Sequence, residues 1–218
     1  MRTIISREIT LMIRSPGSWL LGIIFFALFL MLCAIALGGE FSRIRPLAPA
    51  LIWLAIMFSQ LLGFNGLFQA DHMDGTLEQL TLSGISPLII VASKAVAYFI
   101  CAFLPLLIAV PLAGLAFDLS VQTIAAICLS LLCAAPAIIA YGIMASAILA
   151  GRQGGGFLSV LITTPFMIPL LIFGVAAVDS YPVHGLTGME FQAIFGLSFI
   201  GCAVGLPAAS TAIAANME

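Results

Sequence analysis

Few residues in this chain have side chains that can do chemistry, and they are concentrated in two places. The first is the segment QADHMDGTLEQLTLSGISPL, which carries the acids Asp71, Asp74 and Glu78, with no Lys or Arg between Arg45 and Lys94 to balance them. Gly75 permits a turn there, and Thr76-Leu77-Glu78-Gln79-Leu80 predicts a short helical turn with Leu77 and Leu80 on one face. Gly84 and Pro87 close it off. A short helix with an apolar face and acids around it suits docking into a groove on a partner protein. A solvated loop that is merely acidic is the alternative reading.

The second place is Gly151-Arg152-Gln153-Gly154-Gly155-Gly156. A phosphate cradle of the P-loop kind needs G-x-x-x-x-G-K-[ST] after a strand. The single lysine, Lys94, follows Ser93, so no nucleotide is held by that device. The glycines are better suited to a tight turn or a close helix approach. His72 and His184 are isolated loop residues, for which solvation is a better reading than metal or haem ligation. The five cysteines, at 33, 101, 128, 133 and 202, lie in apolar stretches with no C-x-x-C pair. They read as small packing residues rather than a disulfide or zinc framework. No nucleophile–base pair or metal-ligand cluster can be assembled, so the chain is expected to be non-catalytic, with no metal site.

The elements that must position these segments follow from composition. Of 218 residues, 63% are hydrophobic and 7% charged, with a mean hydropathy of +1.26. A soluble domain carries about 25% charged residues because its surface faces water. A soluble enzyme and a disordered chain are therefore excluded, and the net charge of −2 also excludes a nucleic-acid binder. Six stretches lack Asp, Glu, Lys and Arg altogether: 15–39, 46–70, 95–117, 119–151, 153–178 and 191–217. Each is long enough for the roughly 20 helical residues that cross a bilayer. The expectation is an all-α polytopic membrane protein, a single domain over 1–218, with six spans near 18–38, 47–68, 89–115, 122–148, 157–178 and 191–214.

Orientation follows from the Lys/Arg bias of short loops. With the N-terminus inside, Arg2, Arg7, Arg14, Lys94 and Arg152 are cytoplasmic, and only Arg43 and Arg45 lie opposite. Both termini are then cytoplasmic. Residues 3–14 place Thr3, Arg7, Thr10 and Arg14 on one side of a helix and Ile5, Ile9, Met12 and Ile13 on the other. That pattern predicts an amphipathic interfacial helix with Arg7 and Arg14 available to anionic headgroups, broken from the first span at Pro16-Gly17. Pro105, Pro111, Pro136, Pro165, Pro169 and Pro207 fall inside spans and predict defined bends. No ionisable residue stands in the middle of a span, which argues against a proton-driven carrier.

Asp71-x-x-Asp74-Gly75-Thr76-Leu77-Glu78-Gln79-Leu80, Gly151-Arg152-x-Gly154-Gly155, Pro165 and Pro169-Leu170-Leu171-Ile172-Phe173 together resemble the haem exporter protein B family. The resemblance covers nearly the whole chain in length, span order and loop position. It implies the permease subunit of an ABC-type complex in bacterial cytochrome c maturation, in the inner membrane. It further implies two copies of the chain, a separate ATP-binding subunit, a haem-handling membrane protein and a small single-span helper. Haem and ATP would be handled by the complex and by the partner, with no cofactor held by this chain. What the ATPase drives is left as either haem export or release of the haem-loaded periplasmic chaperone. Trp19 and Trp53 lie at or in separate spans, so no Trp-rich haem-presenting loop is present. Asp71, Asp74, Gly75, Leu77, Glu78 and Leu80 are the candidate contacts to the ATPase, with Leu77 and Leu80 as apolar anchors and Asp74 and Glu78 facing its basic groups.

Two other classes remain compatible with the composition. A small facilitator or channel would use the amides Gln60, Asn65 and Gln69 near a span end, although these equally serve interhelical hydrogen bonds. A non-transporting scaffold would show no response of its partners to nucleotide.

Overall fold

The computed structural model describes residues 2–14, 17–64, 66–151 and 155–216, and all regular structure among them is helical. The amphipathic segment forms α1 (Arg2–Arg14) and the first apolar run α2 (Gly17–Ala36). Ser15 and Pro16 of the expected break lie outside the described residues. A one-turn α3 (Phe41–Ile44) leads into α4 (Ala48–Gly63), followed by the short α5 (Gln69–Met73) and α6 (Thr76–Leu82). Then come α7 (Pro87–Tyr98), continued as α8 (Leu104–Ala116), α9 (Val121–Ile148), α10 (Gly155–His184) and α11 (Met189–Ala215).

Five helices are long and apolar enough to cross a membrane: Trp19–Ala36, Pro87–Ala116, Val121–Ile148, Phe157–Thr187 and Met189–Ala215. The second expected span is different. Of 47–68, only the 16 residues Ala48–Gly63 form one helix. That is roughly 24 Å at 1.5 Å per residue, short of a hydrocarbon core of about 30 Å. The helix ends at Gly63, and a turn through Gly66, at φ +74°, replaces its last expected turn. Short as it is, α4 is deeply enclosed: Ala48, Ile52, Trp53 and Ala55 have no exposed surface.

Proline shapes the second of these long helices, Pro87–Ala116, as expected. Between α7 and α8, residues Phe99–Phe103 widen to π geometry, with the Leu104 N–H bonded to the Phe99 carbonyl. Pro105 follows at once and has no N–H for the Cys101 carbonyl four residues back, which makes this the natural place for the ladder to slip.

The bundle is assembled around α9, which packs against α11 and α10. Gly201 and Gly205 on α11 let the two backbones meet: a Cβ at 205 would lie 2.9 Å from the Ala140 carbonyl oxygen. Small residues four apart are the usual means of close approach where lipid supplies no hydrophobic drive. Ser198 Oγ donates to the Cys133 carbonyl at 2.6 Å, and Asn216 Nδ2 to the Ala147 carbonyl at 3.1 Å. In the centre, Trp53 donates Nε1–H to Ser130 Oγ at 3.1 Å and lays its indole on Gly174 of α10. The five cysteines are free thiols.

Candidate functional site

Four charged residues, Arg7, Glu8, Asp71 and Lys94, come together at the end of the bundle where α1, α5 and the start of α7 meet. Lys94, one of the few charges within a long apolar helix, has 6% of its surface exposed. Its Nζ donates to Glu8 Oε2 at 2.9 Å and lies 2.5 Å from Asp71 Oδ2. Glu8, 2% exposed, also accepts from Arg7 at 2.7 Å, and the Arg7 guanidinium reaches to 3.9 Å from Asp71. The Phe68 ring lies beneath the ammonium group, 5.3 Å from Nζ to the ring centroid. Two acids and two bases thus neutralise one another, as burial at a membrane edge requires.

Three separate elements are joined by this cluster: the interfacial helix through Glu8 and Arg7, the acidic loop through Asp71, and a long apolar helix through Lys94. α1 accordingly lies along α7. Arg7, expected at lipid headgroups, is engaged by carboxylates of the protein itself, whereas Arg14 is exposed. Glu8 had no place in the sequence reading, and Lys94, inside the span expected over 89–115, entered as one of the cytoplasmic charges. The available signal was the chain's single lysine placed seven residues into an apolar helix, a position that demands a counter-ion.

The acidic segment folds as its glycines dictate. Gly75 takes φ +67°, which admits the expected turn between α5 and α6. At the far end Gly84, at φ +80°, closes α6: the Gly84 N–H bonds Thr81 O and the Ile85 N–H bonds Leu80 O, a Schellman arrangement. Upstream, Phe64 stacks on Tyr98 with ring centroids 4.5 Å apart, fixing the chain as it leaves α4.

The expected roles within α6 are redistributed by its orientation. Leu77, read from the sequence as an anchor for a partner, is 2% exposed and belongs to the protein's own core, and Leu80 packs against that core. The amphipathic face is spent holding α6 on the bundle. What faces outward is Asp74, Glu78, Gln79 and two apolar residues, Met73 at 76% and Leu82 at 88% exposed.

The glycine-rich segment meets this loop at one point. Gly151 sits at φ +81°, and a Cβ there would lie 2.6 Å from His72 Nε2. The His72 ring therefore covers the turn that ends α9. Arg152 and Gly154 lie outside the described residues, and Gly155 opens α10. Of the three amides, Gln60 is wholly buried in α4 with neither amide atom hydrogen-bonded, Gln69 starts α5, and Asn65 lies outside the described residues. His184 is exposed at the end of α10. Among the described residues, no group of three His, Cys, Asp or Glu is placed to hold a metal.

An exposed acidic and apolar surface on α5–α6 is tied through ion pairs of Asp71 to a long apolar helix and to α1.

Comparison with known proteins agrees over the whole length. The "heme exporter protein B" of Bradyrhizobium diazoefficiens is 33% identical over 216 residues, covering 99% of this chain and 97% of that protein. The protein of the same name from Haemophilus influenzae is 33% identical over 91% of this chain and 89% of its own. That from Escherichia coli K12 is 34% identical over 86% and 85% respectively. A family model described as "CcmB protein" matches residues 1–216, and the chain belongs to the CcmB family.

Proposed function

We propose that this chain is the membrane subunit of an ABC-type haem exporter complex of cytochrome c maturation. In this reading it couples ATP hydrolysis on a separate subunit to haem export or to release of a haem-loaded periplasmic chaperone. Family membership and the names of the relatives support the pathway. The observation that carries the coupling role is the Lys94 cluster. An ABC permease needs an element through which closure of the ATPase pair biases helices between two arrangements. The α5–α6 segment is that element, and Asp71–Lys94 is its rigid link to α7.

The ATPase docks on the outward face of α5–α6, with Asp74 and Glu78 meeting its basic groups and Met73 and Leu82 entering a groove. Gly151, against His72 at the turn that ends α9, brings the second loop to that face. The chain crosses the bacterial inner membrane six times, α4 being the shortest crossing, with both termini cytoplasmic and Arg14 at the headgroups. Two copies assemble with two ATPase subunits, a haem-handling membrane protein and a small single-span helper. ATP is held by the partner and haem is handled by the complex; this chain holds no cofactor of its own.

The test is affinity purification of the tagged chain from native membranes in mild detergent, followed by mass spectrometry. A P-loop ATPase in the eluate supports the reading, and a haem-handling protein beside it supports the pathway. A chain recovered alone and monodisperse overturns it.

A further inference from the structure

One side of the bundle is open between α2 and α8. α2 packs chiefly on α4 and α8 chiefly on α9, so the two helices diverge. The groove they leave has a volume of about 500 Å³. Phe26 and Leu30 form its buried floor, with Ile23, Ala109, Ala113 and Phe117 among its walls, and every lining residue is apolar. Along α2 the lining runs from Ile23 to Ala34. That is a rise of roughly 16 Å, about half the thickness of a hydrocarbon core of about 30 Å. A partner's transmembrane helix would need a seam running the full thickness. A fatty acyl chain of one leaflet needs half of it.

The end of the groove is marked by charge. Phe117 is followed by Asp118, whose carboxylate lies 3.6 Å from the Arg45 guanidinium. Asp118 adopts φ +54° at the end of α8, where its own N–H bonds Leu115 O and the Leu119 N–H bonds Gly114 O, so its position is set by the backbone. Arg45 and Asp118 are both largely exposed, and an exposed pair of this kind is weak. Nearby Arg43 is bonded to Glu40 at 2.9 Å. Arg43 and Arg45 are also the two cations that the charge bias of the loops leaves unexplained.

The geometry points to a binding site for one anionic phospholipid, with an acyl chain along Phe26 and Leu30 and the phosphate on Arg45. The guanidinium exchanges the Asp118 carboxylate for a phosphate that it can engage with two parallel hydrogen bonds. Asp118 returns to water as it does so. This assignment is independent of the coupling reading, because it concerns the opposite end of the bundle from α5–α6.

Native mass spectrometry of the delipidated full chain tests it, with phosphatidylglycerol and, as the probe without a phosphate, diacylglycerol of identical chains. Phosphatidylglycerol should be retained at about tenfold lower concentration, the factor expected when one charge-assisted hydrogen bond distinguishes two ligands. Arg45→Ala should abolish the headgroup preference while leaving chain-dependent retention. Ala113→Phe, which fills the groove from its wall, should reduce retention of both lipids. Equal retention of the two lipids by the parent chain overturns the site. So does retention unchanged in both variants, or an Ala113→Phe chain that holds lipid normally but loses a protein partner on purification.

Discussion

Lys94 and Glu8 stand 86 residues apart in sequence and 2.9 Å apart in space, both nearly removed from solvent. Their bond fastens the N-terminal helix to the second of the five long apolar helices. With Asp71, which also pairs with Lys94, it ties α1 to the acidic loop as well.

The first prediction concerns this cluster. Lys94→Met leaves the buried Glu8 carboxylate and the partly buried Asp71 facing only Arg7, and breaking a buried pair by removing one partner costs about 3–5 kcal/mol. The Tm of the purified chain in detergent should fall accordingly. Glu8→Gln combined with Lys94→Met removes one of the orphaned charges. The double variant should therefore be more stable than the sum of the singles by about 1 kcal/mol or more. Simple additivity would show that the two residues do not share one network.

A second prediction separates folding from docking on α6. Leu77 is in the core, so Leu77→Ala should destabilise by about 2–5 kcal/mol, as large-to-small core changes do. Glu78 is exposed, and Glu78→Lys should leave the unfolding free energy within about 0.5 kcal/mol of the parent. Under the proposed function, Glu78→Lys should nevertheless lower recovery of the ATPase in a pull-down. Normal recovery with Glu78→Lys would remove α6 from the docking surface.

Much of this arrangement was legible in the sequence, for physical reasons that differ by element. The long apolar runs name themselves, because a bilayer demands uninterrupted hydrophobicity over a fixed length. Gly75 and Gly84 announced the limits of α6 because few other residues tolerate positive φ. The periodicity of Leu77 and Leu80 gave an apolar face but not its owner. A face that docks on a partner and a face that docks on the protein's own core have the same spacing, and only tertiary contact separates them. The Glu8–Lys94 pairing was hidden for the same reason, since it joins residues that no local pattern relates. Gly66 stood in plain view, but its effect in shortening α4 depended on a left-handed conformation that glycine permits without requiring.

A third prediction tests the meeting of the two loops. Gly151→Ala forces a Cβ at φ +81° and into the His72 ring. Strain of this kind costs of order 1–3 kcal/mol. Adding His72→Ala should recover only part of the loss, because the ring contact disappears while the backbone strain remains. Full recovery would mean that the contact alone mattered, and no recovery that the ring does not cover Gly151.

The last prediction concerns the α9–α11 seam that holds the bundle together. Gly205→Val drives new methyl groups toward the Ala140 carbonyl, where a Cβ alone already comes to 2.9 Å, and the obstruction is backbone that cannot rotate aside. Overpacking of this sort typically costs about 1–3 kcal/mol, and the loss should appear as a lower Tm in detergent. Gly196, on the same helix, has open space within 4 Å of where a Cβ would stand, so Gly196→Ala should be neutral. Both variants replace glycine within α11, but only the one at Gly205 meets neighbouring backbone. A seam that tolerated Gly205→Val as well as Gly196→Ala would have to be looser than its backbone contacts allow. The hydrogen bonds from Ser198 to Cys133 and from Asn216 to Ala147 would then have to hold the two helices together without packing between them.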